Sequence, residues 1–170
     1  MQKIYDFGLT IKEYSKNVKN NDFPEISKCP CCNDKMIKNG FYSRYVITSK
    51  KTYVIYIRRY RCKHCGVTLS ILPSFLLPRF QRSLRDIFNC IYKYLSKREF
   101  TLYRRAVFFY VQRFKLNMPG VISFFRDKIN TYLSFDKRKA IKLVEIIKDS
   151  PVPTFSKRFY NHFNTGFMAL

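Results

Sequence analysis

The chemistry of this 170-residue chain is concentrated in two cysteine pairs, Cys29-x2-Cys32 and Cys62-x2-Cys65. A C-x2-C turn presents two thiolates, and two such turns supply the four soft ligands that one tetrahedral zinc ion requires. A catalytic zinc keeps an open position, so four cysteines describe a closed, structural site for one Zn2+. Asn33 follows the first pair and Gly66 the second. Both residue types tolerate the left-handed backbone that such turns demand. Cys31 and His64 are alternative ligands, but neither leaves both pairs with the two-residue gap. A thioredoxin-like redox role is weaker, since no βαβ pattern surrounds either pair. Cys90 falls within the apolar spacing of a helical segment and reads as a core thiol.

The second signal is charge. Thirty-three Lys and Arg against 11 Asp and Glu leave a formal net charge of +22. Residues 35–85 contain twelve Lys or Arg and no acid. Arg58, Arg59 and Arg61 alternate there with Tyr56 and Tyr60, and their guanidinium groups suit phosphates while the rings offer stacking or packing. Arg82 and Arg85 continue the basic run. Residues 100–115 also lack acids, and on a helix they would expose Arg104, Phe108, Gln112 and Lys115, with Arg105 at the edge and Arg113 toward the apolar side. Arg and Gln are the side chains that read guanine and adenine edges in a major groove. The expected partner is nucleic acid, and double-stranded DNA in particular.

Enzymatic chemistry is not legible. The eleven acids include no set in a strand-rich core suited to two-metal phosphoryl transfer. No glycine-rich phosphate loop occurs, and His64 and His162 are the only histidines, so the reading is of a non-enzyme. No apolar run approaches the roughly 18–20 residues of a membrane-spanning helix, and the start lacks the apolar stretch of a secretory signal. The expected location is the cytoplasm, away from membranes, where six cysteines favour metal over disulfides.

Several elements must position these residues. Residues 41–47 and 52–60 are rich in Val, Ile, Tyr and Thr and read as strands joined by a polar hairpin loop at 48–51, with Asn39-Gly40 an earlier tight turn. Pro73 and Pro78 bracket a stiff linker. Leu84, Ile87, Phe88, Ile91, Tyr94 and Leu95 then give one apolar helical face. Leu102, Ala106, Tyr110 and Phe114 repeat the spacing in a second helix. Pro119 can open a third helix, with Val121, Ile122, Phe125, Ile129 and Tyr132 facing inward. Asp136 is a plausible N-cap for a fourth, carrying Ala140, Leu143, Val144 and Ile147. The expected fold class is α+β: an N-terminal zinc ribbon (a β-hairpin with a third short strand) followed by an all-α, helix-turn-helix-like bundle. The divisions are a lead-in at 1–28, the ribbon at 29–78, the helical domain at 79–149 and a tail without clear period at 150–170.

Cys29-Pro30-x-Cys32, Arg58-Arg59-Tyr60-Arg61-Cys62-x2-Cys65-Gly66, Leu72-Pro73-x-Phe75 and Pro78 together resemble the zinc-ribbon start of bacterial insertion-sequence transposases. They look closer still to small transposase-associated bacterial proteins in which such a ribbon precedes a helix-turn-helix. Arg113-Phe114-x2-Asn117 and Ile122-Ser123-Phe124-Phe125-Arg126 are similar to the helical half of that group. The resemblance spans about residues 29–126, and Asn33 departs from the glycine expected after the first pair. It implies that ribbon and helices bind nucleic acid, while the acidic-triad domain that cuts in transposases has no counterpart here. The resulting expectation is a non-enzymatic, zinc-dependent DNA-binding protein, transposon-associated or a regulator. The alternatives are an RNA-binding protein, or an assembly subunit docking on a recombinase or polymerase.

Overall fold

The computed structural model describes residues 1–126, 137–149, 152–163 and 166–168. Among these the chain is α+β, running β1 (Gln2–Tyr5), α1 (Ile11–Lys16), β2 (Met36–Ile47), β3 (Thr52–Cys62), β4 (Thr68–Pro73), α2 (Leu84–Lys97), α3 (Arg104–Arg126), α4 (Lys137–Asp149) and α5 (Val152–Phe163). The elements divide into two compact units, Met1–Gln81 and Arg82–Leu170.

The first unit is built on one four-stranded sheet in the order β1-β4-β3-β2. Strands β2 and β3 pair antiparallel from Ile47↔Thr52 to Met36↔Cys62. Their loop is closed by Thr48, whose Oγ1 donates to Lys51 O (2.6 Å) and accepts from Lys51 N (3.0 Å). The sequence reading of Asn39-Gly40 as a turn is corrected. Both residues lie within β2, opposite Arg59, between the pairs Lys38↔Tyr60 and Phe41↔Arg58. Two residues facing one make a β-bulge, and Gly40 supplies its left-handed conformation at φ 69.

Residues 1–28 belong to this unit. Strand β1 pairs parallel to β4, as Gln2↔Ser70 through Tyr5↔Pro73. A reciprocal Thr10–Glu13 capping box starts α1. Pairing of β3 with β4 covers only residues 59–61 of β3, and α1 satisfies backbone beyond that point. Tyr14 Oη donates to Tyr56 O (3.0 Å) and Ser15 Oγ to Val54 O (2.9 Å), which blunts an otherwise open strand edge. Burial pushes the Tyr14 hydroxyl above the ordinary phenol range.

The sheet carries two apolar clusters. Tyr14, Val46, Ile55, Ile57, Leu72, Phe75 and Leu76 form one, and Cys29, Met36, Tyr60, Cys62, Leu69 and Ile71 the other. The stretch bracketed by Pro73 and Pro78 is therefore not a free linker, since Ser74, Phe75, Leu76 and Leu77 are all buried. Arg44 anchors it, its guanidinium donating to Leu77 O (3.3 Å) and Phe80 O (2.6 Å).

In the second unit, Ser83 caps α2, its Oγ accepting from Asp86 N (3.2 Å), and Leu84, Ile87, Phe88, Cys90, Ile91 and Leu95 are buried as their spacing implies. Burial pushes the Cys90 thiol up. The expected second and third helices are one, α3, with Pro119 inside it. Proline removes one backbone donor and crowds the carbonyl four residues back. Here it sits on an exposed side of the helix, where water can satisfy that carbonyl. The buried residues of α3 are Val107, Val111, Phe114, Met118, Val121, Ile122, Phe124 and Phe125, so the expected inward face (Leu102, Ala106, Tyr110, Phe114) is right only at Phe114. Ala140, Leu143, Val144 and Ile147 of α4 are buried as expected. Ile129, Tyr132 and Asp136 lie outside the described residues. The aperiodic tail contains α5, whose Phe155 and Phe159 are buried with Phe167 and Met168.

Candidate metal centre and basic surfaces

The first cysteine turn leads into β2 and the second leaves β3, and the pair Met36↔Cys62 holds the two strand ends together. Each turn has local support. In the first, Cys29 N donates to Asp34 O (2.7 Å) and Asn33 N to Cys29 O (2.9 Å). In the second, Cys62 N donates to Val67 O (2.9 Å). Asn33 (φ 60) and Gly66 (φ 71) are both left-handed, as the sequence suggested.

The sulfurs of Cys29, Cys32, Cys62 and Cys65 lie within 4.8 Å of one another. Cys29 Sγ is 3.6 Å from Cys65 Sγ, and Cys32 Sγ is 3.5 Å from Cys62 Sγ. A tetrahedral ion with bonds of about 2.3 Å needs ligand sulfurs about 3.8 Å apart, so this spacing fits zinc. None of the four is in a disulfide. Cys31 and His64 lie outside this group. The cluster can hold one metal ion, with Cys29 and Cys62 buried and Cys32 and Cys65 reaching the surface.

The site favours thiolate at one ligand and crowds thiols at another. Backbone N–H groups of Cys31 and Cys32 aimed at Cys29 hold its pKa down at about 6. At Cys65 the Val67 N–H acts in the same sense, but desolvation and the three neighbouring thiols outweigh it and push the group up to about 12. Four thiolates share so small a space only when a cation compensates them.

The expected nucleic-acid residues fall into distinct groups. Strand alternation, with the register, separates the three strand arginines. Arg58 shares a face with Phe41 and Tyr60, its guanidinium 4.5 Å and 5.9 Å from those ring centroids. Arg59 and Arg61 point to the other face, where Arg59 lies 5.0 Å over Tyr42. Arg44, counted in the same basic run, is taken up by the carbonyls of Leu77 and Phe80. In the second unit, Arg85, Arg104, Arg105, Gln112 and Lys115 are exposed. Arg82 is half-buried against Tyr110, which its guanidinium hydrogen-bonds. Arg113 donates to Met168 O (3.0 Å) and so faces the core, as its helical position implied. Sequence reasoning missed the aromatic surroundings of α3: Tyr94, Phe100 and Phe108 meet at 5.3–5.8 Å, with Arg104 over Phe100. The 100–108 aromatic spacing was the available signal.

Among the described residues, no helix is long and apolar enough to cross a membrane. Residues 29–104 match a domain of unknown function, DUF6431. The matched stretch opens on Cys29, covers β2, β3, β4 and α2, and ends at the first residue of α3. No curated protein and no solved structure matches the chain.

Proposed function

We propose that this chain is a non-enzymatic nucleic-acid-binding protein, stabilised by one structural zinc and acting on duplex DNA. The observation that carries the reading is that the arginine-bearing strand β3 ends in the ligand Cys62, with Arg61 beside it. Zinc bound by the four cysteines would cross-link the two turns and neutralise thiolate charge. The chain itself then supplies a rigid basic strand, within a run of residues 35–85 that has twelve cations and no acid. Such a run suits phosphates, whose neutralisation releases counterions.

Readout of sequence would fall to α3. Arg104, Gln112 and Lys115 are exposed on one side of it, free to reach base edges. The α2–α3 connection covers residues 98–103, longer than the 3–4-residue turn of a helix-turn-helix. The pair is thus read as a loose form of that motif. Together with the resemblance to transposase ribbons, this supports a role at a mobile element or as a regulator, in which a recombinase is a fitting protein partner.

A salt-titrated binding series on a selected and a random duplex tests the reading. Neutralising Arg58, Arg59 and Arg61 should weaken binding to both duplexes alike and flatten the salt dependence by roughly one unit of slope per lost phosphate contact. Arg104→Ala or Gln112→Ala should cost about 1–3 kcal/mol on the selected site and much less on random duplex. Equal losses on both duplexes would remove the groove-reading role of α3. Wild-type affinity independent of salt would remove the phosphate-binding role altogether.

A further inference from the structure

One face of the β2–β3 hairpin is open toward its loop end, while at the other end Phe23 packs on Phe41 (ring centroids 5.5 Å apart) and Tyr60 Oη donates to Pro24 O (2.7 Å). On strands that alternate sides, the pairs Val46↔Tyr53, Arg44↔Ile55 and Tyr42↔Ile57 share the side on which Tyr14 of α1 packs. The intervening pairs, Tyr45↔Val54, Ser43↔Tyr56 and Phe41↔Arg58, present the opposite side. Tyr45 is 57% exposed and Val54 44%, and Tyr56 and Phe41 are half-exposed. Tyr45, Tyr56 and Phe41 occupy successive diagonal positions across the two strands, the spacing at which cross-strand neighbours reach about 7–8 Å. Cations border the rings: Lys19 Nζ is 5.4 Å from the Tyr56 centroid and the Arg58 guanidinium 4.5 Å from that of Phe41.

We infer that this face is a stacking platform for the bases of single-stranded nucleic acid, with Tyr45 and Tyr56 under the bases and Arg58 and Lys19 along the backbone. The inference rests on the polyanion-binding reading above and adds to it a second kind of substrate, an unpaired strand. Its chemistry is that of sequence-tolerant single-strand binders, which combine exposed rings with a positive track. Charge selects this occupant over a second copy of the chain, because two surfaces of a +22 protein repel each other. The strand residues of the face contain no acid, and the nearby Glu25 pairs with Lys38 (3.6 Å).

The test uses the full zinc-loaded chain and three probes: oligo(U) and oligo(dT) of about 12 nucleotides, within the usual single-strand site size, and a duplex of equal length. Tyr45→Ala should weaken both single strands roughly 5- to 150-fold, the range measured for loss of one stacked ring. Duplex affinity should stay near wild type, and the salt slope should not change, since no phosphate contact is removed. Tyr45→Phe should keep wild-type affinity. Tyr56→Ala should act as Tyr45→Ala does; if it lowers the melting temperature, Tyr45→Ala alone decides, as its side chain is largely in solvent. A wild type that binds neither single strand nor duplex would overturn the polyanion reading itself. A wild type that binds single strands, with Tyr45→Ala binding them as tightly, would overturn only the platform. Equal losses on duplex and single strand, or a dimer dispersed by Tyr45→Ala, would also overturn it.

Discussion

The two units arrange their buried aromatic residues differently. In the helical unit phenylalanine rings join through the core. Phe88 stacks on Phe167 (centroids 5.2 Å apart) and Phe125 on Phe155 (5.5 Å), with Phe114, Phe124 and Phe159 around them. In the sheet unit the apolar interior is divided between two clusters on a single sheet, one holding Tyr14 and Phe75 and the other Tyr60, while Tyr45 is exposed. One of those clusters includes Cys29 and Cys62 themselves. Two of the four candidate metal ligands thus occupy core positions, where a larger fold would have aliphatic side chains. A small unit that divides its apolar area is the kind that needs a staple. One unit is thus held by a joined set of rings, and the other by two smaller clusters beside four cysteines that can hold an ion.

Removing the ion breaks this comparison most directly. Structural zinc contributes about 10–16 kcal/mol in small metal-folded peptides, as much as the whole stability of many domains. Purified protein should carry about one zinc per chain. Cys62→Ser or chelation should abolish amide protection across β2, β3 and β4 and leave it in α2 and α4. Native hydrogen exchange on the full chain reads both units at once. Persisting protection in the β2–β3 hairpin without metal would show that its two clusters suffice, and the contrast between the units would fail.

The converse change is smaller. Phe155 is buried, with ring centroids of Phe167, Phe125 and Phe124 at 5.1–5.6 Å. Phe155→Ala should destabilise the helical unit by about 3–5 kcal/mol, the usual range for a core phenylalanine. Zinc content and protection of the hairpin should be unchanged. A parallel loss in both units would mean that they unfold as one, and the contrast would hold only for local packing.

How far the sequence discloses all this depends on whether the signal is local. The cysteine spacing, the left-handed Asn33 and Gly66, the 48–51 loop and the apolar stripes of α2 and α4 all lie within a few residues, and all are legible. Strand β1 is not, because Gln2-Lys3-Ile4-Tyr5 has no strong period and its partner lies 68 positions away, at Ser70 for Gln2. Asn39-Gly40 misleads for a related reason. A hairpin turn and a bulge ask for the same residues, and only the continued pairing of Lys38 with Tyr60 distinguishes them. In α3 the density of apolar residues permits more than one stripe, and packing selects the one through Val107 and Val111. The basic run overstates its free cations for a like reason. Nothing near Arg44 in sequence announces that its guanidinium will meet the carbonyls of Leu77 and Phe80.

The smallest expected effect compares one backbone conformation in the two units. Asn33 ends the first metal turn at φ 60, and Arg98 ends α2 at φ 60. A left-handed residue with a side chain is disfavoured by roughly 1–2 kcal/mol, except that asparagine tolerates the region through its short polar group. Glycine is the preferred residue after a helix for the same reason. Arg98→Gly removes that strain but also gives up the guanidinium 5.1 Å over Tyr94, about 0.5–1 kcal/mol at an exposed site. Part of the gain also goes to the greater freedom of glycine in the unfolded chain. The net expectation is a stabilisation of the helical unit by about 0.5 kcal/mol, read as slower exchange of the α2 amides. Asn33→Gly should change the sheet unit by no more than a few tenths of a kcal/mol, because asparagine already accommodates the turn and the bound ion fixes the conformation either way. If Asn33→Gly instead stabilised the zinc-loaded protein more than Arg98→Gly, the metal turn would be carrying strain that the ion does not relieve. The staple would then be working against its own turn, and the sheet unit would owe more of its stability to its two apolar clusters.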